Sequence, residues 1–226
     1  MSMKKLFFLL LSFSSVSYSE IKSLTGSLPD VNVKNIKISF LSDVNSERIS
    51  ELIAAMDEAN IKYPNAKRIT LFINSGGGDL VAGYLGYQAI QQSSIPVTAI
   101  NSGLTASSAT LLYCAAKNRA AYPLTLFILH PADTNLTNHP PFKPDLLNFE
   151  IDMLNKANSI LKGIYKQCTT LTEQELNNIT ESEKNRLQYT FKQAYDKGMI
   201  NFELPNEFVY EASYIITNGE DSQAYN

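Results

Sequence analysis

Three polar elements of this chain each follow a run of strand-forming residues, and their side chains suit acyl transfer. The first is Asn74-Ser75-Gly76-Gly77-Gly78-Asp79. A glycine turn of this kind is often only a tight turn, but its backbone N–H groups can also hold an anion or an oxyanion. A phosphate loop would carry Lys followed by Ser or Thr, and Asp79 stands there instead, which argues against phosphate. The second is Gly103-Leu104-Thr105-Ala106-Ser107-Ser108-Ala109. A serine opening a helix is commonly a cap; as a nucleophile it gains from the helix N-terminus, which favours developing negative charge. The third is His130-Pro131, at the end of an apolar run. A lone histidine there is often structural, yet an imidazole is also the usual general base for a serine hydroxyl. His139 sits in a proline-rich loop and has no comparable setting.

Other chemistries are poorly supplied. Two His and two Cys leave little for a zinc site, and neither Cys114 nor Cys168 belongs to a CxxC pair, so both read as free thiols. No metal and no cofactor is expected. The balance of 19 basic against 22 acidic residues implies no basic face, which excludes nucleic acid as a partner.

The elements that must position these residues alternate in type, as in layered α/β folds. Ile36–Phe40 alternates apolar and polar residues as a strand does, and Ser46 is expected to cap a helix with Ile49, Leu52, Ile53 and Met56 on one face. Strands are predicted over 68–73, 96–100 and 124–129, and helices over 80–91 and 107–116. In open sheets built of such units, functional groups gather where the strands end. Ser75–Gly78, Ser107 and His130 all lie at such ends. Beyond Pro144 a long helix is predicted over 145–167. Leu146, Phe149, Met153, Ala157, Ile160 and Ile164 keep helical spacing on one side, and Leu147, Ile151, Leu154, Leu161 and Tyr165 on another. One face is expected to cover the core and the other to meet a second subunit.

With 44% apolar and 18% charged residues in 226, the chain has the composition of one core-forming domain, read as residues 20–226. Residues 1–19 read as a cleavable secretory signal: Lys4-Lys5, then the apolar run from Leu6, then small residues with Ser17 and Ser19 before the cut. That run is far shorter than the ~20 apolar residues a membrane span needs. Its removal leaves 17 basic against 22 acidic residues, so the mature protein is expected to be acidic and either periplasmic or secreted.

Together these motifs resemble the Clp protease proteolytic subunit family, within the ClpP/crotonase superfamily. Ile73–Gly78 is similar to its strand-end motif, with Gly76 where the family usually has Pro. Gly103–Ala109 resembles its nucleophile motif, with the reactive serine on Ser107. Tyr122-Pro123 followed by His130 matches its Leu-Pro and histidine spacing, and Gly198-Met199-Ile200 resembles the Gly-Leu-Val near its end. The resemblance covers about residues 34–205.

It implies a ClpP/crotonase-like α/β core of repeated βα units, with the long helix as a protruding handle between rings. It also implies a serine-type endopeptidase acting on peptides or unfolded polypeptides as a homo-oligomer. Ser107 would be nucleophile and His130 base, with the N–H groups of Gly77 and Ser108 holding the oxyanion. The family's third residue is an Asp. Ungapped alignment from Gly198 puts Arg186 there, while a one-residue slip puts Asn185 there and seats Leu187 on an apolar position, so Asn185 is preferred; Glu181 and Glu183 are acids nearby. Pro131 replaces the usual Gln. Relatives are fed by an unfoldase ATPase of the Clp type, a partner not expected where there is no ATP. Two alternatives stand beside this reading: a catalytically silent scaffold or peptide-binding protein, and a Ser–Lys protease resembling signal peptide peptidase A.

Overall fold

Five consecutive residues, 69–73, are buried on both faces of their strand, and such strands need cover on both sides, which a parallel sheet with crossover helices supplies. The computed structural model describes residues 22–25, 32–134, 143–204 and 209–218. β2 (Asn35–Leu41), β3 (Arg68–Ser75) and β4 (Val97–Ala106) are parallel neighbours, in register from Asn35↔Arg68 to Phe40↔Ile73 and from Ile69↔Val97. α1 (Ser46–Lys62), α2 (Leu80–Gln92) and α3 (Ala109–Ala115) connect or follow them. α1 buries Ile49, Leu52, Ala55, Met56 and Ala59. Its cap is Asn45, not Ser46: the Asn45 side chain accepts the Arg48 N–H at 2.9 Å. Asp79, the acid that argues against phosphate, caps α2 by accepting the Ala82 N–H at 2.7 Å.

The remaining strands are β1 (Lys22–Thr25), β5 (Asn118–Ala121), β6 (Leu126–Leu129), β7 (Leu187–Thr190) and β8 (Ala212–Thr217). The sheet runs β1-β8-β2-β3-β4-β6-β7, with β5 beside β4. β4 carries β5 along Thr98–Asn101 and β6 along Leu104–Ala106, so one strand serves two neighbours on the same side. Asn101 makes the splice: fully buried, it donates from Nδ2 to the Leu126 carbonyl at 2.8 Å and accepts the Gly103 N–H at 3.1 Å.

The long helix is α4 (Pro144–Cys168), followed by α5 (Glu173–Glu181), a 3-10 turn over Glu183–Asn185, and α6 (Phe191–Asp196). Only the last part of α4 meets the core, through Leu161, Ile164, Tyr165 and Cys168. Towards its N-terminus both apolar faces remain exposed, including Phe149, Ile151 and Met153, so this half stands away from the body instead of covering it.

The two cysteines are joined. Cys114 of α3 and Cys168 at the end of α4 form a disulfide across 54 residues of sequence, correcting the reading of free thiols. No local spacing signals the pair; the fold brings the two helix ends together, with Cα atoms 5.3 Å apart. Buried Arg119 braces the same corner, its guanidinium donating to the Ala116, Met199 and Cys168 carbonyls. Closing a loop this long stabilises by about 4 kcal/mol in the chain-entropy account. Complete reduction is therefore expected to lower Tm by roughly 10 °C, measured by circular dichroism with and without reductant.

Candidate active site

β3 and β4 lose register where the candidate residues begin. Ile73 pairs with Asn101, but the next aligned pair is Ser75 with Thr105, so β4 spends two extra residues. The surplus is held by side chains: Asn74 Oδ1 accepts the Leu104 N–H at 2.9 Å, and Ser102 Oγ donates to the Ile73 carbonyl at 3.0 Å. A Cβ on Gly103 would lie 2.6 Å from Asn74 Oδ1, which explains the glycine there. Beyond this register shift β4 runs to Ala106 and leads directly into Ser107.

Ser107 has φ +54°, among described residues the one non-glycine position in the left-handed region. A residue with a Cβ is held there only when its surroundings over-determine it, and such positions cluster at functional sites. Here the turn is pinned on both sides. The Ser107 N–H donates to the Ile128 carbonyl of β6 at 2.9 Å, while the Ser107 carbonyl accepts the Thr110 N–H at 2.9 Å and the Thr110 hydroxyl at 2.5 Å. Ser108, not Ser107, is the N-cap residue of α3, and neither side chain caps the helix. Gly77, with φ +96°, closes against this turn: a Cβ there would lie 2.6 Å from the Ser107 Cβ and 3.1 Å from the Ser108 nitrogen.

His130 directly follows β6, two residues beyond the Ile128 carbonyl that holds Ser107, and its side chain is 14% exposed. β7 runs antiparallel to β6 with Leu129 opposite Leu187, so the 3-10 turn before β7 arrives beside His130. Glu183 brings a carboxylate oxygen to 3.5 Å from His130 Nδ1, within ion-pair reach but longer than a formed hydrogen bond, and Nδ1 has no bonded partner among the described residues. The other Glu183 oxygen pairs with the Arg186 guanidinium. The segment after His130 is tied to the long helix, since Asn158 Oδ1 accepts the Ala132 N–H at 2.8 Å.

Two sequence expectations meet a different geometry. Asn185 does not face the imidazole: its amide donates to the Asn178 carbonyl at 2.9 Å and to Asn178 Oδ1 at 3.1 Å, and Glu183 takes the place beside His130. Register along the sequence chose between neighbours, whereas the 3-10 turn decides which side chain stands beside His130. The Gly77 N–H donates to Ser75 Oγ at 3.1 Å, so it is already engaged. The adjoining Gly78 lies in a bridge to Val44 built from the Val44 and Asp79 N–H groups, which makes no use of its own N–H. Ser107, Ser108 and the glycine turn are brought together as expected. Tyr165 is a neighbour the sequence reading left out: wholly buried on α4, it contacts Thr110 Oγ1 at 3.0 Å.

The chain is similar to known proteins in sequence and in fold. The chain is 28% identical over 135 residues to ATP-dependent Clp protease proteolytic subunit 2 of Pseudomonas aeruginosa, covering 59% of this chain and 64% of that protein. It is 29% identical over 136 residues to the protein of the same name in Borreliella burgdorferi, covering 59% and 63%. The matches thus span a little under two thirds of these relatives. Among solved structures, an asparagine-to-aspartate mutant of ClpP1 from Listeria monocytogenes superposes with a TM-score of 0.62 at 19% identity, covering 76% of this chain and 92% of that one; this bears on the fold alone. The family model for Clp protease matches residues 29–202, which include the glycine turn, Ser107, His130 and the Glu183 turn, and the chain therefore belongs to the Clp protease family.

Proposed function

We propose that this protein is an exported serine peptidase that cleaves peptides or unfolded segments by Ser–His acyl transfer. One observation carries the reading: the left-handed Ser107 turn is hydrogen-bonded at 2.9 Å to the strand whose end bears His130. That tie supports the reading because it holds the two segments on adjacent strand ends of one sheet. His130 takes the Ser107 proton as the hydroxyl oxygen attacks the carbonyl carbon, then returns it to the departing amine; water repeats the sequence to free the acyl group. The oxyanion is held by the N–H groups of Ser108 and, since that of Gly77 is engaged, of Gly78. Glu183 serves His130 as the orienting acid.

The Cys114–Cys168 disulfide supports action outside the cytoplasm, because such bonds persist in oxidising compartments. Residues 1–19, read as the export signal, lie outside the described residues. Away from ATP, substrates arrive already unfolded or short, with no unfoldase. The exposed apolar residues of α4 support a homo-oligomer joined through the handle. Ile160, 39% exposed, can report on that contact; Leu161 is buried in the protein's own core, so a charge there would test folding.

Incubating the purified, oxidised protein with an internally quenched unstructured peptide, without ATP, tests the function. Turnover is expected. A folded, oxidised protein that turns over none would favour the silent scaffold, which the long His130–Glu183 separation also suits. The acid's identity has a separate readout. Glu183→Gln is expected to lower kcat roughly ten- to hundredfold, less than the ~10⁴-fold of a buried orienting aspartate, because Glu183 is 55% exposed and screened. Asn185→Ala should stay within about twofold of native. The reverse order would return the third role to Asn185.

A further inference from the structure

One stripe of α4 touches both catalytic segments. Asn158, Leu161, Tyr165 and Cys168 follow one another by three or four residues and so share a helix face. Asn158 holds the backbone just beyond His130 by accepting the Ala132 N–H. Two turns later, Tyr165 meets Thr110, whose hydroxyl proton is already given to the Ser107 carbonyl. A threonine hydroxyl has one proton, so in this pair Tyr165 must be the donor. The result is a buried chain from Tyr165 O–H to Thr110 O–H to the Ser107 carbonyl. Tyr165 keeps its proton for this purpose: burial pushes its phenol up to about 12, the Thr110 contact offsetting part of the rise. One turn further on in each helix, Cys114 and Cys168 join α3 to α4 covalently. The disulfide thus stands next to the hydrogen bonds that hold the strained nucleophile backbone.

We propose that the Cys114–Cys168 disulfide is an activity latch: closed, it seats α4 on the Ser107 turn and the His130 segment; opened, it lets the nucleophile relax out of its left-handed geometry. The protein would then be poorly active in a reducing cytoplasm and switched on by oxidation after export. Tyr165 is a positioning residue that acts through Thr110. The proposal rests on Ser107 being the nucleophile. Opening with dithiothreitol is balanced: the reagent's two thiols become its cyclic disulfide, and two electrons and two protons convert the Cys114–Cys168 bond to two thiols.

The experiment follows the rate and the amplitude of fluorophosphonate labelling in the full chain, oxidised and reduced. Misplacing a nucleophile slows labelling at full amplitude, whereas molecules that stay unfolded through the assay lower the amplitude at unchanged rate, and circular dichroism at the assay temperature shows that the reduced protein is folded. Reduction is expected to slow labelling about tenfold at full amplitude, with kcat for a peptide falling and KM unchanged. The Cys114→Ala/Cys168→Ala variant should be equally slow and indifferent to dithiothreitol. Tyr165→Phe, which keeps the disulfide, should label roughly two- to tenfold more slowly, as expected for losing one buried hydrogen bond. Equal rates in the two redox states, or native-rate labelling of Tyr165→Phe, would overturn the latch while leaving the nucleophile in place. Absence of labelling in the oxidised native protein would overturn the nucleophile reading itself, and the latch with it.

Discussion

Replacing Ser107 by alanine is expected to reduce peptide hydrolysis at least about a thousandfold, while fold and assembly are kept. The loss would be chemical, because in the proposed mechanism the Ser107 hydroxyl oxygen forms the acyl bond. The fold survives because what holds this turn is backbone. The Ser107 N–H still reaches Ile128 and the Ser107 carbonyl still receives both Thr110 donors. Alanine meets the same cost at φ +54° as serine does. Ser108→Ala is the matched control. The Ser108 hydroxyl is buried with no hydrogen-bond partner among the described residues, so its removal forfeits none of the bonds described and should leave activity within about twofold. Residual turnover within about tenfold of native in Ser107→Ala, measured on the quenched peptide, would remove Ser107 from the chemistry.

His130→Ala should lose nearly as much, since nucleophile and base act as one unit. The double variant with Ser107→Ala should be no worse than either alone. His130 is mostly buried beside Ser107's strand, where an alanine leaves the backbone ties of β6 in place. Retained activity in His130→Ala, together with loss on substituting a lysine, would instead establish a Ser–Lys protease.

Much of this arrangement was legible in the sequence. The alternation of apolar runs and helical periodicity marked β2, β3 and α1 to α3 to within a few residues, whereas β4 runs on to Ala106, six residues past the expected end at Ile100. Glycine, serine and histidine stood at strand ends because the physics of open sheets puts function there. What stayed hidden depends on contacts between distant residues. β8 pairs with β2 across most of the chain, as Ile36 with Ala212, and nothing local announces that pairing. β5 is four residues, too short for a pattern to register. The disulfide joins two helix ends whose meeting only the fold determines. The long helix showed two apolar faces, but its sequence could not say that only the part near Leu161–Cys168 would find the body. Around the third residue the alignment could slip by one between Arg186 and Asn185, and nothing local showed that the Asn185 amide would be bonded to Asn178 while Glu183 stands beside His130. Gly77 lies against the Ser107 turn, but its N–H, expected to hold an oxyanion, is bonded to Ser75 Oγ, which no motif reveals.

The central claim is that Ser107 is an activated nucleophile, and one measurement meets it most directly. The oxidised protein is treated with a fluorophosphonate probe, digested and mapped by mass spectrometry. A single adduct is expected on Ser107, formed in the native protein, absent in Ser107→Ala, and much slower to appear in His130→Ala. An adduct on another residue, or none on a folded protein with its disulfide closed, would contradict the account.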